Sequence, residues 1–455
     1  MRLLKDSLIT YATLVAQLLL SALATILITR SMGLAGKGEI SLIVSVPGFL
    51  LLFGTFGTAH GAVYALGKNS FSPNQVIRAT WVLTALESVL VCLVALPLWW
   101  MGQTTFLRGL DWRHLLFVVS LLPAEFLLNY GTYVLRGMGR PDLFNLYRLV
   151  RTMLYFLSLS ALWLSRSLTI ETALGVWALA LVVSAVLVQA RLWPLRRSVR
   201  ETWVFPREPI AMLLRYGLQL YPTLILAFLG YRLDVFIINS ILTKADVGAY
   251  TIAVSVAEIV WFIPNAVGIV LFPIIARMSA REANELTPLV LRQVMALTAA
   301  AVLGLFAIRR QLMIVVFGET AGLPAIPVLA LLLPGVLAFS ALKTVWQDLC
   351  GRGRPLLASL SMLVVVGLDV GLNCLLTPRL GVRGAAISAS TAYFCGTLAA
   401  LWWYRRYTRL SWSDLLMPTA RDIELYRQVI ARLWQALHLR PAPTGELSAK
   451  DIDAI

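Results

Sequence analysis

Long apolar runs alternate with short polar connectors along almost the whole chain. They lie at about 8–29, 40–66, 79–101, 115–135, 143–164 and 170–193, and again at about 214–241, 247–276, 288–308, 325–348, 356–377 and 384–404. Crossing a hydrocarbon core of roughly 30 Å takes about 20 apolar residues in a helix. A backbone in lipid has no water to bond and must satisfy itself, so each run is predicted to be helical. The weakest stretch is 309–324, where Leu312 to Phe317 is apolar but too short to cross. Arg2 and Lys5 precede the first run, which passes Ala22-Leu23-Ala24 and resembles a cleavable leader up to that point. The run continues to Arg30, so it reads as an uncleaved first span.

The runs repeat. Gly137-Met138-Gly139-Arg140-Pro141 returns as Gly351-Arg352-Gly353-Arg354-Pro355, 214 residues later. Gly38-Glu39-Ile40-Ser41 and Val44-Ser45-Val46 return as Gly248-Ala249-Tyr250-Thr251 and Val254-Ser255-Val256 at an offset of 210, and Leu121-Leu122-Pro123 returns as Leu332-Leu333-Pro334 at 211. A repeat unit of six spans keeps the same orientation in both copies, which implies two bundles related by an axis along the membrane normal. The expected architecture is an all-α polytopic membrane protein of about twelve transmembrane helices in two six-helix lobes. Their bounds are 1–193 and 216–404, with a cytoplasmic connector at 194–215 and a tail at 405–455. Within that tail Ile423, Tyr426, Ile430, Leu433 and Leu437 recur at helical spacing among arginines, predicting an amphipathic helix between 420 and 439 on the inner membrane surface.

Composition agrees. Apolar residues make up 59% of the chain and charged ones 14%, against roughly 45–50% and 25% in a soluble domain. A net charge of +16 suggests nucleic acid in a soluble protein, but here the orientation rule accounts for it. With the amino terminus inside, 27 of the 39 Lys and Arg fall on the cytoplasmic side and 10 outside, while Arg232 and Lys343 lie within spans. Both termini are therefore expected in the cytoplasm, and no nucleic acid partner is expected. Cys92, Cys350, Cys374 and Cys395 form no CxxC pair, so neither a disulfide framework nor a metal site is indicated. Pro47, Pro97, Pro123, Pro222, Pro264, Pro273 and Pro334 fall inside spans, where each removes a backbone donor.

A charge at the middle of a span costs on the order of 3 kcal/mol on insertion scales, so it normally faces a bundle interior or a wet cavity. Arg30, Arg232 and Lys343 are accordingly candidates for a substrate cavity. Asp234, Glu258, Glu87, Glu125 and Asp369 are candidates for ion coupling or for structural bonds between helices, with Glu258 first because it follows the repeated Val-Ser-Val. His60 is titratable but reads more simply as a packing residue. Arg140 and Arg354, in the repeated glycine turns, sit at headgroup depth where a guanidinium could meet a lipid phosphate. No catalytic constellation stands out.

Several of these segments resemble a known group. Ile28-Thr29-Arg30-Ser31-Met32-Gly33 with Gly36-Lys37-Gly38, Tyr231-Arg232-Leu233-Asp234 with Val247-Gly248-Ala249-Tyr250, the GxGRP turns, and Gly381-Val382-Arg383-Gly384-Ala385-Ala386 are similar to Wzx-type polysaccharide flippases. The resemblance covers about residues 5–405. It implies membership in the multidrug, oligosaccharidyl-lipid and polysaccharide exporter superfamily, a MATE-like fold and no cofactor. It further implies translocation of polyprenyl-diphosphate-linked oligosaccharide across the inner membrane, with the anionic head received by cavity cations. Arg30 matches the family position best and Arg232 next. Membrane lipids and the polymerase or glycosyltransferases of a glycan pathway are the other implied partners. A cation-coupled small-molecule or drug antiporter on the same fold is the alternative, motivated by the intramembrane carboxylates. A membrane glycosyltransferase or polymerase fits less well, because no outer loop carries an acidic pair to activate an acceptor hydroxyl.

Overall fold

The computed structural model describes residues 2–102, 107–197 and 205–417, and the helix expected at 420–439 lies outside them. Among the described residues the chain is helical, with no strand. The helices are α1 Arg2–Thr55, α2 Thr58–Gly67, α3 Pro73–Gly102, α4 Trp112–Gly137, α5 Pro141–Leu164, α6 Ile170–Arg197 and α7 Arg207–Ile241. They continue with α8 Lys244–Ala257, α9 Phe262–Ile275, α10 Ala280–Phe317, α11 Glu319–Gly351, α12 Pro355–Leu380, α13 Val382–Thr408 and the short α14 Trp412–Leu416.

Several boundaries differ from the expected ones. At 1.5 Å per residue the 54 residues of α1 would extend about 80 Å, far beyond one bilayer. The helix breaks at Gly33, where φ is 68° and ψ −170°, a conformation that glycine alone enters freely. The loop expected over 31–39 is thus reduced to that break. The second apolar run divides at Phe56 and Gly57, with φ of 46° and 73°, into the end of α1 and α2. The eighth divides into α8, a 3₁₀ turn Glu258–Trp261 and α9. Pro264 lies just after this turn and has no N–H to offer Val260. The loop expected at 309–324 shrinks to Gly318, because α10 continues through the apolar Leu312–Phe317 and α11 begins at Glu319. Arg309 does not end the helix; its guanidinium folds over the Phe306 ring, 3.8 Å from the centroid.

Among the described residues ten helices are long and apolar enough to cross a membrane. The first of them counts once although Ala12–Thr55 has 44 residues, and α5 is absent because Arg148 and Arg151 dilute its apolarity. Outward-facing Leu93, Leu96, Leu303 and Val315 are exposed, as lipid-facing side chains are.

The repeat has a physical counterpart. A Cβ on Gly38 would run into the Lys244 carbonyl oxygen, and one on Gly248 into the Leu34 carbonyl oxygen. Leu34 and Lys244, like Gly38 and Gly248, are 210 residues apart, so the two contacts are one contact related by a local twofold. Ser41 and Thr251, also 210 apart, meet side chain to side chain at 3.5 Å. The openings of the two repeats therefore lie backbone against backbone, α1 beside α8.

Candidate functional site

Just beyond that contact lies a cavity of about 460 Å³, lined by residues of α1, α5, α6, α7, α8, α11 and α13 and by the 3₁₀ turn. Its α1 face is built by a four-residue step, Lys37, Ser41 and Ser45, and the repeat-related α8 face by Thr251 and Ser255. This is the side of each helix on which i and i+4 residues stack. The small hydroxyls bond back to their own helices, Ser45 to the Ser41 carbonyl and Ser255 to the Thr251 carbonyl, both at 2.7 Å. That leaves room for a ligand.

Three cations reach the cavity: Lys37 from α1, Arg151 from α5 and Arg232 from α7. Arg151 is neutralised. Its guanidinium grips Glu125 of α4 with two bonds, 2.6 and 3.2 Å, and lies 5.3 Å from the centroid of the Trp177 ring. Lys37 and Arg232 differ from it: among the described residues neither has a hydrogen-bond or ion-pair partner, and each lies within electrostatic reach of the other. Two like charges facing one low-dielectric hollow repel, unless an anion lies between them. Glu258, at the start of the 3₁₀ turn, is the carboxylate of the cavity without a hydrogen bond among the described residues; Arg232 and Lys343 are the cations within its electrostatic reach. Trp261, Tyr231 and Tyr393 complete an aromatic wall.

The other residues singled out from sequence are placed differently. Arg30 does not line the cavity; it donates to the Val315 and Val316 carbonyls at the end of α10, the Nε bond to Val316 being 2.8 Å. Lys343 stands behind the aromatic wall. It donates to the Tyr231 hydroxyl at 2.8 Å and to Asn265 Oδ1 at 3.3 Å, with the Tyr231, Trp261 and Phe339 ring centroids 5.0, 4.7 and 5.5 Å from its ammonium. Such a cage holds a cation by attraction to the ring faces.

Most of the carboxylates make structural bonds. Glu87 of α3 receives the Tyr130 hydroxyl at 2.7 Å and the Thr58 hydroxyl at 3.2 Å. Asp234 of α7 receives the Tyr250 hydroxyl and, at 2.9 Å, the Asn373 amide of α12. The same amide lies 3.1 Å from Asp369, and Thr377 donates to the Asn373 side-chain oxygen Oδ1 at 2.8 Å. α7, α8 and α12 are thus tied together beside the cavity, and Asp234 itself lines it. His60 packs edge-on against Tyr133, with centroids 4.8 Å apart. Arg140 pairs with Asp142 at 2.9 Å, and Arg354 lies over the Tyr407 ring. Among the described residues no group of three His, Cys, Asp or Glu could hold a metal ion.

Sequence reasoning placed Lys37 in an outer loop and Arg151 among the cytoplasmic charges, and so missed both. The Lys37, Ser41, Ser45 step was the legible signal for the first. For the second there was only a pair of arginines, Arg148 and Arg151, within an otherwise apolar run. The Arg151 to Glu125 pair bridges two helices, so Glu125→Ala is expected to lower the stability of detergent-solubilised protein by about 2 kcal/mol. Adding Arg151→Met should recover most of that loss in the same thermal unfolding measurement.

Residues 3–279 match the family model described as polysaccharide biosynthesis protein. The chain belongs to the polysaccharide biosynthesis protein family. Over 175 residues, 36% of each chain, this family member is 27% identical to "Probable low-salt glycan biosynthesis flippase Agl15" of Haloferax volcanii. The match therefore spans about a third of that relative's length. The fold is shared with the lipid II flippase MurJ in an inward closed conformation, at a TM-score of 0.74 and 12% identity over 96% of this chain and 100% of the other. An inward-facing multidrug resistance MATE transporter of the MOP superfamily follows, at 0.68 and 15% identity over 86% and 94%. The family member is a multi-pass membrane protein with the MATE-like fold that the resemblance implied.

Proposed function

We propose that this protein is a flippase that carries polyprenyl-diphosphate-linked oligosaccharide across the inner membrane during polysaccharide biosynthesis. The observation that carries the reading is the cavity-lining pair Lys37 and Arg232, which has no hydrogen-bond or ion-pair partner among the described residues, with the cavity's Glu258 carboxylate within electrostatic reach of Arg232. A diphosphate is the anion that two such cations would hold best, through charge-assisted hydrogen bonds. The family and the printed names of Agl15 and MurJ support a lipid-linked glycan as the cargo. A cavity of about 460 Å³ suits a head group and its first sugars, leaving the polyprenyl chain in the lipid.

Transport in this reading is by alternating access, the lobes 1–193 and 216–404 rocking so that α1 and α8 part at their contact when the cavity opens on that side and close again when it opens on the other. Both termini and the connector 194–215 lie in the cytoplasm, as the distribution of Lys and Arg supports. Glu258 is the candidate for ion coupling inside the cavity, and Asp234 with Asp369 the candidate pair beside it. The drug-antiporter reading rests on Glu258, an acid available to a cationic drug, but two free cations outnumber it.

The test is leaflet accessibility of a labelled lipid-linked oligosaccharide in proteoliposomes. Wild-type protein should expose the inner-leaflet pool to an external glycan-cleaving enzyme faster than protein-free vesicles do. Equal rates, together with drug resistance in cells expressing the protein, would replace this reading with the antiporter one.

A further inference from the structure

A second, smaller cavity, about 230 Å³, opens between the α4–α5 turn and the end of α6, lined by Leu135, Met138, Arg140, Leu143, Arg191, Pro194 and Leu195. α4 is one of the helices long enough to cross the membrane, so the turn after it stands at the depth of lipid headgroups. The repeat supplies an internal comparison for this groove. At an offset of 214, Met138 corresponds to Arg352, Arg140 to Arg354 and Arg191 to Arg405.

In the second half every one of these positions is satisfied from within. Arg352 donates to the buried Asp348 at 2.7 Å and to the Tyr404 hydroxyl at 3.3 Å. Arg354 lies over the Tyr407 ring at 5.9 Å, and Arg405 over Trp412 of α14 at 5.4 Å. The first half has no such filling. Met138 leaves the floor apolar, and Arg191 is exposed with no partner among the described residues. Among the described residues Arg140 has only Asp142, whose carboxyl the Arg140 guanidinium holds below the usual carboxylate range.

We propose that this groove is a binding site for an anionic phospholipid, its phosphate between Arg140 and Arg191 and its glycerol and upper acyl chain against Leu135, Met138, Leu143 and Leu195. The charges select the class. Two guanidiniums and the Asp142 carboxylate leave one net positive charge, which one phosphodiester monoanion balances. A zwitterionic lipid would bring an ammonium to a site that offers it no free acid. A free phosphate would leave the apolar floor bare.

Native mass spectrometry of the purified full chain, titrated with phosphatidylglycerol, phosphatidylcholine or glycerol 3-phosphate, reads the site directly. Phosphatidylglycerol should bind to the wild type well above phosphatidylcholine, and glycerol 3-phosphate should not compete. Removing two surface arginines at about 1 kcal/mol each should weaken phosphatidylglycerol binding about thirtyfold in Arg140→Ala, Arg191→Ala. Arg354→Ala with Arg405→Ala removes the same charge from the repeat-related place and should leave binding unchanged. Met138→Trp fills the groove without altering charge and should weaken binding as well, which keeps the test decisive if the double variant does not fold. Equal losses in the two double variants, unaltered binding in Met138→Trp, equal binding of phosphatidylcholine, or competition by glycerol 3-phosphate would each overturn the proposal.

Discussion

Proteoliposomes containing the Lys37→Ala, Arg232→Ala variant are expected to move lipid-linked oligosaccharide at least about a hundredfold more slowly than wild type. A hydrogen bond to a charged group is worth about 1.5–3 kcal/mol, so each cation should account for roughly ten- to hundredfold if it holds the diphosphate. Arg30→Ala is the internal comparison, since Arg30 tethers the end of α10 and stays out of the cavity; its rate should fall by less than the smaller of the two single variants. A double variant that flips at the wild-type rate would show that the facing pair does not receive the cargo.

The second large effect concerns movement. In a background lacking the four native cysteines, Ser41→Cys with Thr251→Cys replaces two side chains that already touch at 3.5 Å. Oxidation should join α1 to α8 and abolish translocation, and a reductant should restore it. If the crosslinked protein still transports, the two helices do not part during the cycle, and opening of the cavity at this contact is not the mechanism. The single cysteine variants control for the loss of the hydroxyls.

Much of the fold was legible because the bilayer imposes one rule on every span. Apolar runs of sufficient length mark helices wherever they occur, and the offset of 210 revealed the relation between α1 and α8 without coordinates. What could not be read was the direction in which each charge points. Arg30, Arg232 and Lys343 give the same signal in the sequence, an isolated cation at or within an apolar run. Packing separates them: one faces the hollow, one meets the end of a neighbouring helix and one enters a ring cage. Lys37 was hidden for a related reason, since the break at Gly33 takes a single residue and a glycine-rich stretch that looks like a loop continues as helix. The carboxylates were ambiguous because a proton carrier and an interhelical bond need the same residue. The partners of Glu87 and Asp234, which are Tyr130, Tyr250 and Asn373, come from other helices that no local pattern connects.

The tight turn at Glu258–Trp261 divides the α8–α9 rod at the cavity's edge. A 3₁₀ turn advances about 120° and 2.0 Å per residue, against about 100° and 1.5 Å in an α-helix. Relaxing these four residues to α-helical winding would swing the end of the rod through about 80° and draw it in by about 2 Å. Glu258 begins this segment, so a change in its charge would act where a small rewinding turns α9 like a key.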